Sequence, residues 1–260
     1  MPIITLTTDF GTTDSYVGAM KGVLLSICPK ATIVDLTHEL PPYDVTEAAF
    51  VFEQARRWFP KKTIHVAVVD PGVGSTRRPL LVEAGGHYLV GPDNGIFTYA
   101  LGGSAVKTRH LSNEKLFLKP VSATFHGRDI FAPCAAHLAA GMPPAKLGKL
   151  VKDALRLNLG TNNRISKRQW SGSVLRVDRF GNLITSFSIA EFGWLADRPF
   201  EILVGFEKVG KRATHFAECE YGELYAIVGS SGYIEIVQRE ASAAKRLGVV
   251  SGAPVDVTGW

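Results

Sequence analysis

The first half of the chain alternates short apolar runs with stretches of helical spacing. Residues 3–7 form an apolar run that ends in a Gly-Thr turn. Val17, Met20, Leu24 and Ile27 then recur at three- and four-residue intervals up to Pro29, which predicts an amphipathic helix. Residues 31–36 read as a second strand. Beyond Pro41-Pro42, Asp44 and Glu47 have the spacing of a capping box, opening a helix through Ala48, Phe52 and Ala55 that Pro60 stops. Residues 63–69 are a third strand, and 80–82 with 88–90 flank Gly85-Gly86 as a hairpin. A further helix is expected from about Arg128 to Ala140, ended by Gly141. This βαβ rhythm predicts a Rossmann-like three-layer α/β domain, with helices on both sheet faces.

The second half changes period. Short strands at 174–177, 183–184, 202–204, 225–228, 233–237 and 255–257 are separated by glycine turns, which predicts an all-β, barrel-like module. The expected organisation is therefore an α/β domain over 1–152, a linker over 153–168 and a β-barrel domain over 169–260. No internal repeat or low-complexity tract interrupts it.

Composition narrows the class. With 260 residues and 46% hydrophobic content, the chain can bury a sizeable core, which excludes disorder as its main state. No apolar run approaches the roughly 18 residues of a membrane-spanning helix. The opening segment lacks a basic region and meets Asp9 early, so no signal peptide is expected. Cys28, Cys134 and Cys219 are far apart and form no Cys-x-x-Cys, as befits a reducing cytoplasm rather than a disulfide framework or zinc site. The net charge of +5 is concentrated between Ala145 and Arg168, where Lys146, Lys149, Lys152, Arg156, Arg164, Lys167 and Arg168 face only Asp153. No aromatic residue interleaves with them before Trp170, so stacking on bases has little support. The segment reads as a solvated helix face followed by a polar linker, not a nucleic-acid footprint.

Several motif matches fail on context. Asp9-Phe10-Gly11 lacks the rest of a kinase, residues 229–232 lack the spacing of a nucleophile elbow, and His38-Glu39 lacks a second metal-binding histidine. What remains is polar residues at the C-terminal ends of expected strands, where open α/β sheets bind ligands. Asp9 closes the first strand. Asp70 closes the third and is followed by Pro71-Gly-Val-Gly74 and Arg77-Arg78. A carboxylate there can accept both protons of a vicinal diol, and it can equally cap a turn or pair with an arginine. His126, ahead of the expected helix, suits acid–base work or a capping role.

Taken together, residues 8–14, 34–38, 42–45, 69–79, 91–96, 125–129, 178–182 and 230–233 resemble the S-adenosylmethionine (SAM) hydroxide adenosyltransferases, also called SAM hydrolases. These are relatives of the fluorinases and chlorinases. The pieces occur in family order and cover nearly the whole chain. The resemblance implies an α/β domain, a β-barrel-like domain, and a homotrimer that binds SAM between domains of neighbouring subunits. It implies that Asp9 holds the ribose diol, Phe180 stacks on adenine and Asn182 hydrogen-bonds it. Asp178 and Ser230 would meet the methionine end, and Tyr43, Phe125 and Ala241 would complete the substrate contacts. The family's Asp–Arg–His triad falls on Asp70, Arg77 and His126, with Arg78 as the alternative arginine. Halogenating relatives carry Tyr in place of Asp70 and Ser in place of Gly127, so a halide pocket is not expected. They also carry Trp at Tyr43 and Arg at Ser231.

The implied reaction is hydrolysis of SAM to adenosine and L-methionine by attack of water at C5′. The alternatives are a halogenase and a non-catalytic SAM or adenosine binder. A sulfonium makes methionine a neutral leaving group, whereas water, with a pKa of about 15.7, must be polarised or deprotonated. No cofactor, metal, nucleic-acid or membrane partner is expected.

Overall fold

The computed structural model describes residues 1–159 and 162–260, so Gly160 and Thr161 of the expected linker lie outside the described residues. The chain forms two compact units, Met1–Leu157 and Asn158–Trp260.

The first unit carries β1 (Ile3–Thr8), α1 (Tyr16–Ile27), β2 (Thr32–Thr37), α2 (Val45–Arg56), β3 (Ile64–Val68), β4 (Pro79–Ala84), β5 (His87–Pro92), α3 (Thr98–Leu101), β6 (Lys107–Leu111), α4 (Ala132–Ala139) and β7 (Gly148–Val151). The sheet order is β2-β1-β3-β5-β4-β6-β7. Neighbours from β2 to β5 run parallel, and those from β5 to β7 antiparallel. Alternation along the central strands sorts the side chains into two cores. Ile4, Leu6, Val66 and Val68 pack under α1 and α4 with Met20, Leu24 and Leu138. Ala67, Val69, Val82 and Leu89 pack on the other face with Phe52 of α2 and Ala100 and Leu101 of α3. Strands buried on both faces read as continuous apolar runs, as residues 63–69 do. Asp44 caps α2 by accepting from the Glu47 N–H at 2.8 Å.

At the centre of the sheet, His65 is fully buried. The Thr5 hydroxyl lies 2.7 Å from its Nδ1, and His87 lies 3.2 Å from its Nε2. Burial, then the charges of His87 and Arg56, push its pKa down to about 3.

The second unit contains β8 (Asn163–Arg164), β9 (Gln169–Val177), β10 (Leu183–Ser188), β11 (Phe200–Val204), β12 (Glu207–Val209), β13 (Leu224–Val228), β14 (Tyr233–Gln238), α5 (Ala243–Leu247) and β15 (Pro254–Gly259). Its antiparallel sheet has the order β12-β11-β15-β9-β10-β14-β13, with β8 paired beside β9. A bridge from Arg212 to Ala226 brings the segment after β12 onto β13, nearly closing a barrel around Phe187, Phe192, Ile202 and Ile236.

The segment from Ala145 to Arg168 departs from expectation. It holds no described helix: a single 3₁₀ turn at Pro144–Lys146 leads into β7. Gly148 is the reason the chain can pair there, because a Cβ would stand 1.7 Å from the His110 carbonyl oxygen of β6. Asp153 then bonds Arg78, and the Leu157 N–H donates to Thr98 at 2.8 Å. The expected helix over 128–140 also starts differently. A π-helical turn at Gly127–Phe131 precedes α4, with the Ala132 N–H donating to the Gly127 carbonyl.

Candidate active site

Because β1 and β3 are parallel neighbours, they deliver Asp9 and Asp70 to the same edge of the sheet. Asp9 Oδ2 accepts from the Tyr43 N–H at 2.9 Å. Tyr43 has a φ of 68°, a left-handed conformation that tyrosine rarely adopts, and its side chain is 74% exposed.

The loop from Asp70 to Arg77 is set by two successive turns, Val73 N–H to Asp70 O and Ser75 N–H to Gly72 O, both at 3.1 Å. Gly74 has a φ of 78°, and a Cβ on it would lie 2.3 Å from the Ala123 carbonyl oxygen. Only glycine allows this loop to close on the segment that leads to His126. Arg77 Nε donates to Asp70 Oδ1 at 2.9 Å, and its Nη2 donates to Asp70 Oδ2 and to His126 Nδ1, the latter at 2.7 Å. Guanidinium has no acceptor, so His126 Nδ1 must accept, and the neutral ring carries its proton on Nε2. Burial, then the Arg77 charge, holds His126 below the ordinary histidine pKa, which agrees with a neutral ring. Asp70 and Arg77 are 4% and 9% exposed, and Phe131 lies 5.3 Å from the guanidinium. Arg78 turns instead to Asp93 and Asp153.

Aromatic rings complete this cleft. Phe125 lies 5.2 Å from Tyr16 and 6.0 Å from Phe10. Gly127 leaves space between them, since a Cβ there would meet Phe125 at 3.3 Å and Met20 at 3.2 Å. The cleft encloses about 330 Å³ and is lined by Asp9, Phe10, Tyr16, Tyr43, Asp70, Phe125, His126 and Gly127, among others. A larger cavity of about 540 Å³ near Ile3 and Ile64 offers lysines and apolar groups but no carboxylate side chain or histidine.

In the second unit, Asp178 folds a tight loop onto itself. Its Oδ1 accepts from the Phe180 and Asn182 N–H groups at 2.9 and 2.8 Å, and its Oδ2 accepts from Asn182 Nδ2 at 2.9 Å. Gly181, with a φ of 86°, passes so close to Ser242 that a Cβ would overlap its hydroxyl. The loop thereby turns Phe180 outward, 77% exposed, while Asn182 is 4% exposed. Both line a cleft of about 700 Å³ together with Phe216, Arg239, Ala241 and Ser242. Ser230 sits on the exposed turn between β13 and β14, outside that cleft's lining.

Sequence reasoning assigned no role to Phe10, Tyr16, Phe216, Arg239 or Glu235. Phe10 sits beside Asp9 in a motif already singled out, so its signal was present. Phe216 lies on a loop with no periodic pattern. The Glu235 carboxyl lies over Gly229 and is pushed up to about 7 by burial and then by the Asp178 charge. Among the described residues, no group of three or more His, Cys, Asp or Glu could hold a metal ion, and no helix is long and apolar enough to cross a membrane.

The family model for the SAM hydroxide adenosyltransferase N-terminal domain matches residues 4–148, and that for the C-terminal domain matches residues 172–256. An (R)-S-adenosyl-L-methionine hydrolase of Salinispora tropica is 39% identical, with 99% of this chain and 98% of that protein covered. A fluorinase of Actinoplanes sp. is more distant, at 28% identity over 99% of this chain and 97% of its own. The crystal structure of an uncharacterized conserved protein from Thermotoga maritima superposes with a TM-score of 0.91 at 35% identity, covering 98% of this chain and 99% of that one.

Proposed function

This chain belongs to the SAM hydroxide adenosyltransferase family, and from that premise we propose that it hydrolyses S-adenosyl-L-methionine to adenosine and L-methionine. The observation that carries the reading is the hydrogen-bonded set Asp70–Arg77–His126, with Asp70 and His126 lining the same cleft as Asp9.

Asp9 binds the ribose diol through the oxygen that Tyr43 leaves open. Phe180 stacks on adenine, Asn182 and Ala241 meet its polar edge, and Phe125 and Tyr43 flank the sugar. Asp178 and Ser230 receive the methionine amino and carboxylate groups. Water lies against Asp70 and His126. Since His126 Nδ1 is occupied by Arg77, its Nε2–H donates to the attacking oxygen, and Asp70 is the group left to take the proton. Each carboxylate oxygen keeps a lone pair beyond its bond to Arg77. Attack forms the O–C5′ bond as the C5′–S bond breaks, and sulfur takes the electron pair to leave as neutral methionine. Arg77 fixes the position of Asp70 and the tautomer of His126, so the site is organised before substrate arrives.

The active assembly is a homotrimer with sites at subunit interfaces, working in the cytoplasm, with domains over 1–152 and 169–260 joined by 153–168. The reaction draws on no cofactor. A halogenase reading is disfavoured because Asp70 puts negative charge where an anion would approach, and Gly127 offers it no hydroxyl.

The test is SAM turnover in oxygen-18 water. Adenosine should carry the label at its 5′-oxygen. Unlabelled adenosine, or methylthioadenosine as product, would remove the displacement.

A further inference from the structure

Behind Asp9 lies a polar chain that the proposed chemistry does not use. β1 and β2 pair in regular register from Ile3↔Thr32 to Leu6↔Asp35, then Thr7 faces Thr37, so β2 carries one extra residue as a bulge. Bulges re-aim the residues that follow them. Here the following residue is His38, which is 4% exposed, and its Nδ1 lies 2.8 Å from the Oγ1 of the fully buried Thr8. Thr8 Oγ1 also accepts from the Phe10 N–H at 3.2 Å, and the His38 carbonyl accepts from the Gly11 N–H at 2.7 Å. On the other side, His38 Nε2 lies 3.1 Å from Asp35 Oδ1, while Lys21 donates to Asp35 Oδ2 at 2.6 Å.

The donor and acceptor roles follow from this arrangement. The Asp35 carboxylate can only accept, so it draws the ring proton to Nε2, although that contact is not aligned as a hydrogen bond, and in the neutral ring Nδ1 then accepts from the Thr8 hydroxyl. That leaves the Thr8 oxygen free to accept from Phe10. Residues 8, 10 and 11 are thus bonded around Asp9 by His38 and its partner Thr8. The constellation has the order of a nucleophilic Asp–His–hydroxyl triad, yet Thr8 is fully buried and no substrate atom can reach its oxygen.

We infer that His38 is a positioning residue for Asp9, acting through Thr8 to fix the turn that presents the carboxylate to a ribose diol. This rests on the assignment of Asp9 to the ribose. The acceptor that matters is Nδ1, whose place is taken by the side-chain oxygen of Asn, whereas Gln reaches toward the place of Nε2. Bulk, by contrast, is better conserved by Gln.

The test is adenosine binding by calorimetry, with thermal midpoints and SAM kinetics on the same preparations, for Asp9→Ala, Thr8→Ser, Thr8→Val, His38→Asn and His38→Gln. Thr8→Val and His38→Gln should weaken adenosine binding and raise the SAM KM by about tenfold, the scale of one lost hydrogen bond, with kcat changed less than about twofold. Thr8→Ser and His38→Asn should stay within about threefold of wild type. If His38→Gln binds adenosine as well as His38→Asn or better, or if affinities merely follow the thermal midpoints, the inference is overturned. If Asp9→Ala itself binds adenosine normally, the ribose assignment fails instead.

Discussion

The two clefts are built by opposite means. In the first unit, the site residues hold one another: Asp70, Arg77 and His126 are mutually bonded, and two of the three are almost wholly buried. In the second, Asp178 clamps its own loop through the Phe180 and Asn182 N–H groups, so that Phe180 stands out into solvent. A charge network is expensive to assemble and must exist before the reaction, since removing one member of a buried pair strands the other. An aromatic face needs only to be presented. On the proposed roles, the first unit does the chemistry while the second holds the base and the methionine end, and mutation should separate them.

The largest effect is expected in the first half. Asp70→Ala and His126→Ala should each lower turnover on the order of 10²–10⁴ while SAM affinity changes little, as for a positioned acid–base group. The double variant should lose far less than the product of the two, because the groups act as one unit. Independent, multiplying losses would break the triad assignment. Next, Phe180→Ala should weaken SAM and adenosine binding by roughly 5- to 150-fold, the worth of about 1–3 kcal/mol for stacking a base, with kcat at saturation preserved. Loss of kcat rather than affinity there would erase the distinction between the halves.

Acidity should act on one half alone. Protonation of His126 would cost Nδ1 its acceptor role toward Arg77, and its pKa lies below the ordinary histidine value. Turnover should therefore be flat above about pH 6.5 and fall toward tenfold per unit once the pH passes below the His126 pKa. Adenosine affinity should hold over the same range. The profile needs a folding control, because buried His65 has its pKa depressed from 6.5 to about 3. The unfolded chain then binds a proton that the native one refuses, so stability is full above pH 6.5 and declines as the pH drops. The smallest effect concerns halide: added chloride should yield no 5′-chloro product and alter hydrolysis less than about twofold. Gly127→Ser, whose Cβ needs only a few tenths of an ångström, should still make none while Asp70 remains.

Much of this was legible in the chain. Central strands buried on both faces announce themselves as apolar runs, and the glycines at 74 and 181 mark the two turns on which the clefts depend. Asp70 and His126 stood out by motif, while the choice between Arg77 and Arg78 could not be read from adjacent residues. It depends on which side of the loop each faces, a tertiary fact. The loop carrying Phe216 and the carboxyl of Glu235 were illegible for the same reason, since their relevance comes from packing rather than period. The basic segment misled because Lys146, Lys149, Lys152 and Arg156 recur at three- and four-residue intervals, the spacing of a helix face, although only Lys149 lies within β7.

That segment has a consequence for how the molecule keeps to itself. Among the described residues β7 is the last strand of its sheet, so one row of its N–H and C=O groups has no neighbouring strand. Such an edge invites another chain to extend the sheet. Here the invitation is short, four residues, and Lys149 stands exposed within it while Lys146 and Lys152 stand exposed just beyond either end. Two copies meeting edge to edge would bring Lys149 and its flanking lysines close to their counterparts, at the place where exposed Leu150 would otherwise favour contact. The cations that resemble a docking site for an acidic partner are arranged as a deterrent to fibrous self-association.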